Sequence, residues 1–163
     1  MSGMYGMNIK MAIYGESHGA SIGLVIDGVP PGLKLDLEDI EKEMARRAPG
    51  KNQLSTQRKE SDSFAIQSGF FEGYTTGTPL CVVIKNSDQH SKDYSILKDK
   101  MRPGHADYAG FVRYQGFNDY RGGGHFSGRL TAPLVFIGAV AKQALAQEGM
   151  LVGAHILQIA DIK

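Results

Sequence analysis

The stretch Asn8-Ile-Lys-Met-Ala-Ile-Tyr-Gly-Glu-Ser-His-Gly-Ala-Ser-Ile-Gly-Leu-Val-Ile-Asp27 decides the fold. At its centre lies Gly15-Glu-Ser-His-Gly19, which read literally is G-x-S-x-G, the nucleophile elbow of serine hydrolases. An elbow needs a helix directly after the serine. Here a second apolar run with an internal glycine follows, so Asn8–Tyr14 and Ile22–Asp27 read as two strands with a turn between them. The Gly122–Gly124 triplet could imitate an oxyanion-hole loop, but in hydrolases that loop precedes the nucleophile. A serine hydrolase is therefore the minor alternative.

Asp36–Arg47 reads as a helix, with Asp36 as N-cap, acids in the first turn and arginines in the last. Leu37, Ile40 and Met44 share one face, and Pro49-Gly50 ends the element. Asp62–Phe70 and Pro79–Asn86 are expected as strands around a Gly73–Thr78 turn, followed by a polar loop over Ser87–Gly104. Asp107–Gln115 is a short candidate helix. Ala132–Gln147 is a long one, with Thr131 as N-cap and Leu134, Ile137, Ala141 and Leu145 on the core face. Leu151–Ile159 is expected as a last strand. Strands grouped around isolated helices point to an α+β fold in a single region, 1–163.

Composition narrows the function. The 163 residues carry a formal net charge of +1, with 42% hydrophobic and 21% charged, so neither a nucleic acid nor a membrane is an expected partner. Cys81, the single cysteine, sits in an apolar run and is expected to be a buried thiol; no metal site is expected. No basic-then-apolar leader is present, which makes a cytoplasmic location the expectation. The 21 glycines cluster at element ends, where backbone must turn tightly or approach something closely.

Two further segments carry chemistry. Arg102-Pro-Gly-His-Ala-Asp107 places an anion binder, a proton carrier and a carboxylate within six residues. Arg121-Gly-Gly-Gly-His-Phe-Ser-Gly-Arg129 exposes backbone N–H groups before a helix, a favourable seat for an anion, without the spacing of a P-loop or a dinucleotide fingerprint. Arg46, Arg47, Arg58, Arg102, Arg121 and Arg129 all fall at element ends or beside glycine turns, as expected where a small polyanion is held.

Taken in order, these segments resemble chorismate synthase. The match runs through Gly15-Glu-Ser-His-Gly19, Gly23-Leu-Val-Ile-Asp-Gly-Val-Pro30, Arg46-Arg-Ala-Pro-Gly50 and Arg58-Lys-Glu-Ser-Asp62. It continues with Ser68-Gly69, Gly73-Tyr-Thr-Thr-Gly77, Arg102-Pro-Gly-His-Ala-Asp-Tyr108 and Asp119-Tyr-Arg-Gly-Gly-Gly124. The resemblance implies part of a β-α-β sandwich. It also implies 1,4-elimination of phosphate from 5-enolpyruvylshikimate 3-phosphate with reduced FMN, sometimes reduced by NADPH, in a homotetramer.

By the same resemblance His18 and His105 are the catalytic residues. His18 serves the leaving phosphate and His105 sits by the flavin ring. His125, Phe126, Ser127 and Arg47 contact cofactor, and Arg46, Arg47, Arg102 and Arg129 bind substrate anions. The chain departs from the family pattern at Gln53, His125, Phe126 and Leu130, where the family more often carries basic, basic, small polar and acidic residues respectively. The resemblance covers only the family's N-terminal portion. The 163 residues alone are accordingly expected to be an inactive fragment prone to self-association, the alternative being a non-catalytic module that binds a small anion or flavin.

Overall fold

The computed structural model describes residues 3–49, 60–87, 94 and 98–162. The readings at Gln53 and Arg58, and much of the loop expected over 87–104, lie outside the described residues.

Five antiparallel strands form one sheet in the order β1-β2-β3-β7-β4: β1 (Met4–Tyr5), β2 (Lys10–Gly15), β3 (Ser21–Asp27), β7 (Leu80–Lys85) and β4 (Phe64–Ser68). The hairpin β2–β3 is the one the opening stretch implied. The register places Ile13, Leu24, Val82 and Ile66 in a row across four strands. Because side chains alternate along a strand, Ile22, Leu24, Ile26, Leu80, Val82 and Ile84 all point to one face, and all are fully buried. Between β4 and β7 in sequence, β5 (Phe70–Phe71) and β6 (Tyr74–Thr75) form a separate two-stranded hairpin, so the expected Gly73–Thr78 turn in fact contains a short strand.

Two helices cover the buried face. Helix α1 (Leu37–Arg47) is capped as its sequence requires, with the Asp36 side chain accepting from the Asp39 N–H at 3.1 Å, and it buries Ile40 and Met44. Helix α3 (Thr131–Gln147) crosses it and presents Phe136 to Phe64, ring centroids 4.9 Å apart and edge-on. Burying side chains of this size contributes roughly 1.5–3 kcal/mol each. The amide of Gln143 on α3 closes on the start of α1, accepting from Asp36 N–H and donating to Asp36 O, both at 2.9 Å. A third, short helix, α2 (Asp107–Arg113), lies outside this layer.

Three expectations need correction. The buried face of α3 is Ala132, Pro133, Phe136, Ala139 and Val140, whereas Leu134 and Ala141 are exposed. The helix is apolar nearly all round, so periodicity could not choose its face; such a helix is built to be covered on more than one side. Thr131 does not cap α3: a 3-10 turn, Gly128–Leu130, runs straight into the helix, and the Thr131 hydroxyl donates to Gly128 O at 2.6 Å. Leu151–Ile159 is no strand. It is exposed throughout, and its one bridge joins Ile159 to Ile162, because β propensity makes a strand only where a partner edge exists.

Candidate functional site

The β2–β3 turn, Glu16–Ala20, carries two polar side chains into the interior: Ser17 is 1% exposed and His18 5%. The turn closes with Gly19 N–H donating to Glu16 O at 3.0 Å, and Ser17 N–H donates to Gly124 O at 3.1 Å. Strand β3 follows it, so no nucleophile elbow forms.

Gly122, Gly123 and Gly124 have φ of 57°, 83° and 52°, three successive left-handed residues that only glycine adopts without strain. Their second requirement is space. A Cβ on Gly122 would run into the His18 ring, and one on Gly123 into the His105 ring. The triplet read in sequence as an anion seat therefore also seats two imidazoles, one against each of two consecutive glycines. They come from residues 87 positions apart and converge on consecutive glycines.

His105 is oriented by Asp107, whose Oδ1 lies 2.7 Å from Nδ1. Asp107 is in turn gripped by Arg102 through Nε (2.8 Å), Nη2 (2.9 Å) and the backbone N–H (3.0 Å). The side-chain hydrogen bonds from Arg102 hold the Asp107 carboxyl far below the usual carboxylate range, against an upward push from burial. The same bonds raise the Arg102 guanidinium. With Asp107 ionised, Nδ1 of His105 donates and Nε2 is left for other work. A second pair repeats the device: Asp119 takes Arg121 Nε at 2.8 Å and Nη2 at 2.7 Å. Burial pushes the Asp119 carboxyl up, but the hydrogen bonds and charge of Arg121 outweigh it and lower it.

The remaining arginines divide. Arg46 lies on the solvent face of α1, 2.6 Å from Glu43, and is not brought to the histidines. Arg47 donates through Nε to Asp62 Oδ2 at 2.7 Å and through Nη1 to Thr131 at 3.3 Å. Asp62 is fully buried, and its other oxygen accepts from Arg129, itself buried. Arg129 also donates to Asn86 Oδ1 at 3.0 Å and to Lys85 O at 3.3 Å, and lies 3.7 Å from Glu60. This load is structural and was not foreseen for a residue expected to bind substrate. Ser127 caps the following turn, its Oγ accepting from Arg129 N–H at 3.2 Å. Phe126 packs on Gly110 of α2, 6.1 Å from the Tyr114 ring. His125 Nδ1 lies 2.8 Å from Gly15 O, a carbonyl, so Nδ1 carries the proton there.

Two adjoining clefts open beside the glycine loop. One, of about 440 Å³, is lined by Glu16, Tyr114, Phe117, Asn118, His125 and Phe126. The other, of about 200 Å³, reaches Asp107, Asp119 and Gly123 past Met101 and Phe111. The residues that sequence reasoning missed are Asp62, Glu60, Asp119 and Asn86. Glu60, Asp62 and Asp119 stood inside quoted motifs, but nothing local marked what they would hold.

The family model for chorismate synthase matches residues 9–163. The chain is 46% identical over 163 residues to chorismate synthase of Cytophaga hutchinsonii, covering 100% of this chain and 45% of that protein. Against chorismate synthase of Pyrococcus abyssi it is 49% identical over 162 residues, 98% of this chain and 45% of the relative. A crystal structure of chorismate synthase superimposes with a TM-score of 0.61 at 30% identity, covering 88% of this chain and 35% of that one. The chain thus spans less than half the length of the curated relatives it matches.

Proposed function

The chain belongs to the chorismate synthase family, and on that premise we propose that the whole protein eliminates phosphate from 5-enolpyruvylshikimate 3-phosphate to give chorismate. In that reaction a ring C–H and the C–O bond to phosphate break and a second ring double bond forms. The observation that supports it best is the meeting of His18 and His105 on Gly122 and Gly123, beside two Asp–Arg pairs. His18 gives a proton or hydrogen bond to the departing phosphate oxygen. Asp107, held by Arg102, keeps His105 in one tautomer. Glycines at 122–124 let the reacting groups approach the backbone, and burial of the His18 turn keeps water from the proton donor.

The residues present fit a flavin. The larger cleft lies within the ~300–1,000 Å³ range of small-molecule sites, and Tyr114, Phe117 and Phe126 offer aromatic faces with His125 as a polar contact. Reduced FMN, when bound, lends electron density to a reaction without net redox change. NADPH as its reductant, a homotetrameric whole protein and a cytoplasmic location accompany this reading. We further propose that the 163 residues alone do not turn substrate over.

Anaerobic phosphate release with chemically reduced FMN tests the proposal. Release is expected from the whole protein and none from the 163-residue chain. A whole protein that binds substrate and flavin yet frees no phosphate would overturn the elimination reading and leave a binding module.

A further inference from the structure

Asn86 directly follows β7, and its backbone N–H and both polar atoms of its side chain reach the site. Its backbone N–H donates to Ala20 O at 3.2 Å. Its Nδ2 donates to Glu16 O at 3.0 Å and to Gly19 O at 2.8 Å. Its Oδ1 accepts from Arg129 Nε at 3.0 Å. The amide orientation is fixed by chemistry, since a guanidinium offers only donors and the two carbonyls only acceptors. Glu16 and Gly19 flank Ser17 and His18 within the turn, so one side chain clasps the backbone on both sides of them.

We propose that Asn86 is the positioning residue of His18, coupling its turn to the buried Arg129–Asp62 ion pair. Its catalytic consequence rests on the reading that His18 serves the leaving phosphate. Arg129 is immobilised by Asp62 and the Lys85 carbonyl, and that rigidity passes through the Asn86 amide into the turn. No other side chain of this size does the same. Aspartate would set a carboxylate against two carbonyls, serine falls short of the turn, and glutamine, one methylene longer, carries its amide past these partners. The imidazole is then pinned from two sides, by the clasp beneath its turn and by Gly122 against its ring.

The test is Asn86→Asp, which keeps the shape and the acceptor toward Arg129 but removes both donors. The first readout is the set of histidine ring resonances in the isotopically labelled protein. His18 carries a ring-current signature from Tyr94, edge-on with centroids 4.8 Å apart. His105, held by Asp107, and the exposed His155 serve as references. The expected result is a His18 shift or broadening several times larger than any change at His105 or His155. An unmoved His18 signal in the folded variant overturns the proposal. If Asn86→Asp does not fold, Asn86→Ser is read the same way; unfolding of both makes Asn86 a stability residue and also overturns it.

The second readout is phosphate release by the whole protein. Asn86→Asp is expected to lower kcat by about 10–100-fold, leave KM nearly unchanged, and have no added effect in a His18→Ala background. An additive loss in that background overturns the proposal. A wild-type protein without turnover defeats the elimination reading instead, and the resonance test then decides the positioning role alone.

Discussion

The His18 ring occupies the space in which a side chain on Gly122 would stand. Gly122→Ala therefore meets two penalties, a left-handed backbone costing about 1–2 kcal/mol for a residue with a Cβ and displacement of the imidazole. Misplacing a reacting group by about 1 Å can cost ~100-fold in rate. Thermal unfolding and whole-protein turnover should both fall, whereas Gly128→Ala, which meets nothing within 4 Å, should leave turnover intact.

On the proposed reading, loss of the His18 imidazole removes the group that serves the leaving phosphate. His18→Ala in the whole protein should lower turnover by roughly two to four orders of magnitude. A near-normal rate under single-turnover conditions would remove His18 from the mechanism.

The Asp107 carboxyl titrates lower in the folded chain than in the unfolded one, so it binds fewer protons when folded. Its stabilisation is complete above the unfolded value of about 3.9 and is lost as pH falls toward its lowered folded value. Asp107→Asn should show a flatter decline in stability below pH 4 than the wild type. Acid titration followed by circular dichroism measures this.

Asp62 is the common partner of Arg47 and Arg129. Removing it takes the nearest counter-charge from buried Arg129 and leaves it only Glu60 at 3.7 Å; losing one partner of a buried pair typically costs about 3–5 kcal/mol. Asp62→Ala should lower the stability measured by urea unfolding sharply, whereas Arg46→Ala, which breaks only the exposed pair with Glu43, should change it by less than about 1 kcal/mol.

Apolar side chains stand open to water on several elements, among them Leu134 on α3, Phe117 after α2, and Leu151, Ile156 and Leu157. A surface of that kind favours association. The 163-residue chain should elute from a sizing column as more than a monomer, with a size that grows with concentration. A sharp monomer peak at low salt would count against this.

Much of this architecture was legible in the sequence because its signals are local. The α1 cap, its charged ends and its Ile40–Met44 stripe occupy a single run of twelve residues, and the structure repeats them. The pairing of β2 with β3 followed from what comes after Ser17. The face of α3 was not legible, since a helix apolar all round carries no periodic mark of which side meets the sheet. The Leu151–Ile159 strand failed for want of a partner edge. At the site, the glycine triplet and both histidines were marked by residue type, but their meeting depends on contacts between residues far apart in the chain. Asn86 gave no signal at all: a lone asparagine after a strand looks like any turn residue until Arg129 and Glu16 close around it.

The wide separation of His18 from Gly122 also dictates timing. Strand β3 is synthesised long before its neighbour β7, and the glycine loop later still. At ~5–20 residues per second, the first hairpin leaves the ribosome roughly 5–20 s ahead of the loop that seats its histidine. For the first part of that interval the hairpin has no β7 beside it, and throughout it there is no α3 above it. Non-local closure of this kind folds slowly, so the nascent hairpin is the stage at which this chain is most exposed to chaperones, proteases and wrong partners.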